Sequence, residues 1–418
     1  MVQEDMQHQW FVERSLSATL NRAARQFPAI VLTGPRQSGK TTLIQHHFGQ
    51  THRYCSLDDP LIREQAASDP NLLMDRFKPP VMFDEIQYAP SLLHTIKAEI
   101  DRHRSVRGQF VITGSQAFPL MQGVTESLAG RAAVLSLLSL DQRERLGISD
   151  GDLSPRGALE RGAELDRRSP CESVEELAVA LLRGGFPEPA LDTGIDKTLW
   201  HASYVRTYLE RDVRTLRAVG DLGEFERFLF ALAARSGQLV NYSALARDLG
   251  LTGKTVKAWI SVLEASGQIF VVRPYHANIG TRLVKSPKVY FVDTGTLAYL
   301  LDLREPGQVV RGVAAGPFFE TAVLGQLLRL FVHRGETPRI YFWRTAKGHE
   351  VDFVAEIGST LIPIEAKLTA TPSVRDAAAI ERFRTLFGDR VGRGLVVCLC
   401  REAVPLTTAT SAVPFGTF

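Results

Sequence analysis

Cysteine is scarce in this chain. It has four in 418 residues, Cys55, Cys171, Cys398 and Cys400, with no C-x-x-C pair among them. That spacing suggests no disulfide framework, and reduced thiols in the cytosol are the simple reading. Long apolar runs are missing too: none approaches the roughly 20 residues that span a bilayer. The opening stretch, MVQEDMQHQWFVERSL, carries early acids and lacks the apolar region of a signal peptide. Neither sign of charge dominates, with 49 Lys and Arg against 46 Asp and Glu and a net charge of +3. Such a balance permits an anionic partner without demanding one. There is no internal repeat and no low-complexity tract. These absences point to a cytoplasmic protein with no membrane partner. The apolar share of 44% and charged share of 23% are those of a globular chain. Its length exceeds one ordinary core and calls for three domains or four.

Strands and helices alternate from about Pro28 to Leu140, where AIVLTG, RYCSLDD, PPVMFDE and QFVITGS read as short buried strands. Near-continuous apolar strands between helices predict a parallel sheet covered on both faces. The polar, Gly- and Pro-punctuated stretch DQRERLGISDGDLSPRGALERGAELDRRSP breaks the pattern. The chain therefore divides into an α/β domain over 1–140, a linker or insertion over 141–171, a helical region over 172–275 and a mixed α/β domain over 276–418.

GPRQSGKT, from Gly34 to Thr41, fits G-x-x-x-x-G-K-[ST] at every fixed position, between an apolar strand and a helical stretch. Glycines let backbone N–H groups wrap phosphates, and a helix N-terminus adds positive potential. Gly34, Pro35, Arg36, Gln37, Ser38, Gly39, Lys40, Thr41 and Thr42 are the expected ATP-binding residues. Lys40 is expected to reach the β- and γ-phosphates, and Thr41 to bind Mg²⁺. VMFDEI is an apolar strand ending in adjacent acids. Asp84 would hold the Mg²⁺ shell and Glu85 would polarise the attacking water, a pair suited to hydrolysis. One strand later, Thr113 and Ser115 in VITGS are candidate γ-phosphate sensors. Arg131 in SLAGRAAVL is a candidate arginine finger given to a neighbouring subunit, which implies a homo-oligomer and permits a ring.

LTGPRQSGKTTL, YCSLDDP, VMFDEIQ, VITGSQ and SLAGR, in this order, resemble the prokaryotic AAA-domain ATPases that carry an uncharacterised C-terminal domain. LRGGFPEP, YLERDV, VYFVDTG and EVDFVAE…IPIEAK resemble the second half of that family, so the likeness covers nearly the whole chain. The resemblance implies ATP binding and hydrolysis, and a C-terminal region similar to restriction-endonuclease folds. One departure is LLSLDQRERLG, where the family usually has a proline and more aromatic residues.

Two further patterns carry chemistry. In NYSALARDLGLTGKTVKAWISVLEASGQIFVVRPY, Leu245 and Leu249 mark one helix, GLTGK the turn and Val256, Ile260 and Leu263 a second buried stripe. Thr252 is a plausible N-cap, and QIFVVRP could start a wing. This helix-turn-helix presents Lys254 and Lys257 to DNA phosphates, or else serves as a protein-docking lid. In the hairpin GHEVDFVAEIGSTLIPIEAKL, Glu365 and Lys367 share a face of one strand. Asp352 with Glu365-x-Lys367 fits the D…[DE]-x-K pattern of restriction-type nucleases, and Glu320 in GPFFETAVLGQLLRLF is a candidate further acid. That face either binds Mg²⁺ or lies in water. The sequence thus reads as an ATP-hydrolysing enzyme acting on DNA, with two rivals: a nucleotide-controlled docking protein with a silent nuclease-like domain, and an ATP-controlled endonuclease.

Overall fold

The computed structural model describes residues 11–114, 127–148, 153–164, 173–208, 221–275 and 286–418. The chain divides into two compact units. One is Met1–Ser139 with Val332–Glu336; the other is Leu140–Phe331 with Thr337–Phe418.

The first unit is built on five strands: β1 (Ala29–Thr33), β2 (Arg53–Ser56), β3 (Val81–Asp84), β4 (Phe110–Gly114) and β5 (Ala132–Ser136). All pair in parallel, in the order β2-β3-β4-β1-β5. Every residue of β1, β3 and β4 is buried, because helices cover both faces. Alternation sorts the side chains accordingly. Ala29, Val31, Phe83 and Ile112 enter one core, and Ile30, Leu32, Met82 and Val111 enter the other. The C-terminal ends of these strands carry the conspicuous polar residues, where ligands bind in open parallel sheets.

The second unit is organised by a mixed sheet of nine strands. They are β6 (Gln238–Leu239), β7 (Ile269–Pro274), β8 (Lys288–Phe291), β9 (Ile340–Arg344), β10 (Glu350–Ile357), β11 (Thr360–Ala366), β12 (Gly394–Cys398), β13 (Val404–Pro405) and β14 (Thr410–Pro414). Their order is β13-β14-β12-β11-β10-β9-β7-β8-β6. The helix Ala315–Val332 is buried along most of its length, as an all-round apolar helix must be.

Three features add to the sequence expectations. The strand expected to start a wing, β7, pairs with β8 on one side and β9 on the other. It is an interior strand of the large sheet, and with β6 and β8 it forms an antiparallel trio beside the two helices of the helix-turn-helix; the connection between β7 and β8 lies outside the described residues. The boundary expected near residue 275 likewise falls inside this continuous sheet. The stretch expected as a linker or insertion holds, among its described residues, two short helices, Gln142–Arg145 and Pro155–Gly162. Asp141 and Glu144 close a capping box there, with Glu144 N–H donating to Asp141 Oδ1 at 2.7 Å and Asp141 N–H to Glu144 Oε2 at 3.0 Å. Polar composition suggested solvent; these polar groups instead satisfy a helix end and are buried.

Candidate functional site

The turn from β1 into the helix Lys40–Phe48 is shaped for close approach to a ligand. Gly34 takes φ +142°, and a Cβ there would lie 2.1 Å from the Leu137 carbonyl oxygen. Gly39, at φ +91°, caps the helix. Both positions need glycine. Gln37 also adopts a left-handed φ of 62°, at an exposed position. Lys40 is buried and folds back over the turn, its Nζ donating to the carbonyls of Gly34 at 3.0 Å and Pro35 at 2.8 Å. The Ser38 hydroxyl is fully buried and has no partner. A buried, unmatched hydroxyl beside a helix N-terminus and an ammonium suits an anionic ligand.

Asp84 is the hub of the strand-end acids. Its Oδ2 accepts from Thr41 Oγ1 at 2.8 Å and from Tyr54 OH at 2.7 Å, and its Oδ1 from Thr113 Oγ1. Burial, and then the carboxylate itself, push the Tyr54 phenol above its usual range. Glu85 sits at φ 60°; its N–H donates to Thr113 Oγ1 at 3.1 Å and its carboxylate accepts from Gln87. Thr113 is wholly buried and bonded to both acids, so the structure gives it a supporting position instead of an open γ-phosphate contact. Ser115 lies outside the described residues. Arg131 is held within its own chain by Asp101 through two bonds, Nε–Oδ1 at 2.7 Å and Nη2–Oδ2 at 3.0 Å. A role in a neighbouring subunit would require it to leave that pair.

The second unit gathers Glu320, Asp352, Glu365 and Lys367 around one pocket of about 930 Å³. A register shift in β10 between Val351 and Val354 places Asp352 in a bulge, which re-aims side chains. Glu365 stands one step beyond the paired Phe353 and Ile364 and is only 2% exposed, while Asp352 and Lys367 beside it remain partly open to the pocket. Asp352 Oδ2 accepts from Ala366 N–H at 3.0 Å, and Lys367 Nζ donates to Glu365 Oε2 at 2.7 Å. Glu365 Oε1 has no partner. Burial, with Asp352 adding, raises the Glu365 carboxyl well above its ordinary range, and the same two causes push Glu320 up to about 7.

The pocket also contains residues that the motif did not reveal. Lys288 Nζ donates to Glu320 Oε1 at 2.8 Å and pairs with Glu350 Oε1 at 2.5 Å. Tyr290 OH donates to Glu320 as well, and Arg344 pairs with Glu350 at 3.0 Å. Burial alone would lower the Lys288 ammonium, but Glu320, Glu350 and Asp352 outweigh it and hold it above its usual range. Elsewhere in the unit, the helices Tyr242–Leu249 and Gly253–Ala265 form the expected helix-turn-helix. Thr252 caps the second by accepting from Thr255 N–H at 3.1 Å, and Lys254 and Lys257 stand exposed.

Known proteins share this layout. Residues 26–146 match the model of an AAA domain, residues 174–307 that of a domain of unknown function (DUF8612), and residues 315–418 that of another (DUF4143). Uncharacterized protein Rv2008c of Mycobacterium tuberculosis and uncharacterized protein Mb2031c of Mycobacterium bovis are each 30% identical over 405 residues, covering 96% of this chain and 83% of theirs. The chain belongs to their family of AAA-domain proteins. Among solved structures, the Walker-type ATPase PABY2304 of Pyrococcus abyssi is similar at 19% identity and a TM-score of 0.41, covering 69% of this chain and 96% of that one.

In this AAA-domain protein the nucleotide apparatus is local in sequence, whereas the pocket is assembled from two matched regions. Lys288 and Tyr290 come from the first domain of unknown function, and Glu320, Asp352 and Glu365 from the second. VYFVDTG had signalled only resemblance. The available hint was the alternation of the strand KVYF, which begins one residue earlier and sets Lys288 and Tyr290 on one face. Among the described residues no helix is long and apolar enough to cross a membrane.

Proposed function

We propose that this protein is an ATPase of the P-loop AAA type that works on DNA. Hydrolysis takes place in the parallel-sheet unit, and DNA is gripped by the second unit. The observation that carries the reading is the bond between Thr41 and Asp84, which joins the phosphate-binding turn to the strand-end acid 43 residues away. The residues fit a magnesium nucleotide. Ser38 offers an unmatched buried hydroxyl inside the turn, and Thr41 and Asp84 supply the oxygen ligands that Mg²⁺ prefers. When bound, Mg²⁺ neutralises charge developing on the phosphoryl oxygens.

The protein's own groups divide the remaining work. Lys40 releases the Gly34 and Pro35 carbonyls and turns its ammonium to the β- and γ-oxygens. The N–H groups of the turn and the first helical residues orient the phosphates. Glu85, steadied by Thr113 at its N–H and by Gln87 at its carboxylate, takes the proton of the attacking water. Arg131, once free of Asp101, can stabilise the departing charge in an assembled oligomer. In the second unit, Lys254 and Lys257 on the helix-turn-helix and the cationic rim of the pocket supply the phosphate contacts.

DNA-stimulated ATP turnover tests the proposal. Stimulation should accompany a steep salt dependence, about 10³-fold in affinity between 50 and 200 mM if roughly six phosphates are neutralised. ATP turnover indifferent to DNA, with no salt-sensitive DNA binding, would replace it with a nucleotide-controlled switch that docks a protein.

A further inference from the structure

The acids of the C-terminal pocket have the spacing of a divalent-metal cage, and the folded chain does not make one. Glu320, Asp352 and Glu365 fail to bring three oxygens within 4.8 Å of one another. For Glu320 the reason is visible at Lys288. Its ammonium lies between Glu320, at 2.8 Å, and Glu350, at 2.5 Å, and interacts with the charge of Asp352. Tyr290, two residues along the same face of β8, gives Glu320 a second donor. Lys288 is 4% exposed, and its ammonium is held from two sides by carboxylates of the pocket it lines. A divalent ion here would have to displace a buried ammonium and strip its carboxylates of their hydrogen bonds. Mg²⁺ demands near-octahedral oxygen ligands at about 2.1 Å, and one oxygen of each carboxylate already accepts a hydrogen bond: Glu320 from Lys288 and Tyr290, Asp352 from Ala366 N–H and Glu365 from Lys367.

We infer that Lys288 is a built-in cation that takes Glu320 away from the metal position of restriction-type sites, and that this pocket binds a nucleic-acid strand without metal and without cutting it. The strand as ligand rests on the DNA reading above; the exclusion of metal stands on the geometry alone. Two observations specify the ligand. Arg344, Lys367, Arg375 and Arg382 line the same pocket and offer cationic contacts to phosphate oxygens. Glu365 Oε1, on a residue 2% exposed, lacks a hydrogen-bond partner. A base amino group beside the phosphate can donate to it, or the carboxyl, which burial and Asp352 hold toward its protonated form, donates to a phosphate oxygen.

The test uses the full-length, nucleotide-free chain and two titrations. In the first, free Mn²⁺ is followed by electron paramagnetic resonance. Wild type and Asp352→Asn should bind Mn²⁺ identically, whereas Lys288→Met should gain one site that Lys288→Met/Asp352→Asn loses. In the second, binding of a fluorescent oligonucleotide should agree within twofold between EDTA and Mg²⁺, and weaken at least tenfold in Arg375→Ala/Arg382→Ala. A wild-type Mn²⁺ site that Asp352→Asn removes overturns the built-in cation, as does Mg²⁺-dependent strand cleavage that the same change abolishes. Should Lys288→Met fail to fold, the comparison of wild type with Asp352→Asn still decides. If the oligonucleotide does not bind at all, the DNA reading fails while the Mn²⁺ titration continues to judge Lys288.

Discussion

Replacing Thr113 by valine removes one hydroxyl that serves two acids at once, at nearly constant volume. In the wild type this hydroxyl donates to Asp84 Oδ1 and accepts from Glu85 N–H at 3.1 Å, on a residue with no exposed surface. A hydrogen bond to a charged group contributes about 1.5–3 kcal/mol, and a neutral one about 1 kcal/mol. Summed, the substitution should cost about 2.5–4 kcal/mol, less than the roughly 5–15 kcal/mol that keeps a domain folded. The first unit should therefore still fold, with a lower midpoint in urea. The functional signature is more discriminating. A residue that only sensed the γ-phosphate would leave Mg²⁺·ADP affinity untouched when altered, since ADP has no γ-phosphate. A residue that braces Asp84 should weaken Mg²⁺·ADP binding as well as slow turnover, and Thr113→Ser should restore both. Urea denaturation with calorimetric Mg²⁺·ADP titration of the three proteins measures each quantity. Unchanged stability together with unchanged Mg²⁺·ADP affinity in Thr113→Val would refute the bracing argument.

Four other outcomes are expected. Lys40→Ala should abolish nucleotide binding in a fluorescent-nucleotide titration, because nothing else described in the turn supplies a buried ammonium. Glu85→Gln should still retain ATP on a filter but turn over about 10²–10⁴-fold more slowly, the range that general base catalysis contributes; wild-type turnover would remove Glu85 from that role. Lys254→Ala/Lys257→Ala should weaken DNA binding uniformly across sequences and flatten the slope of log affinity against log salt by about 2, one unit per phosphate contact. His201 is 1% exposed, and burial lowers its pKa below 6.5. Between the folded and unfolded values the unfolded chain binds the extra proton, so this contribution to stability is present above pH 6.5 and is lost as pH falls. A urea midpoint that declines below pH 6.5 in wild type, and less steeply in His201→Gln, is the result to look for.

How much of this was legible in the sequence depends on how far apart the interacting residues lie. The phosphate-binding turn could be read directly because its requirements are local: two glycines at set positions, a lysine and a hydroxyl within eight residues, all imposed by backbone geometry. The five-stranded parallel sheet was legible for a related reason, since strands covered on both faces must be apolar throughout. Thr113 shows where that legibility stops. Its place at the end of an apolar strand marked it as part of the site, but the partners that decide its role lie 29 and 28 residues away on a neighbouring strand.

The pairing of β7 and the extra cation of the pocket were both hidden from the sequence, for one physical reason. QIFVVRP has the composition of a short hairpin arm, yet β7 pairs in parallel with β9, whose sequence lies some 70 residues on, and so joins the second sheet. That pairing, with β8 on its other side, carries Lys288 and Tyr290 to the carboxylates of β10 and the helix Ala315–Val332. A motif of carboxylates counts negative charge but is silent about the cation that compensates it. Three acids and a lysine in the spacing D…E-x-K are equally compatible with a metal ion or with an ammonium from elsewhere in the sheet. Burial forces the choice, because acids this far from water must be compensated by something. In this chain the compensation for Glu320 and Glu350 is covalently attached, and it is the sheet order, not the motif, that delivers it.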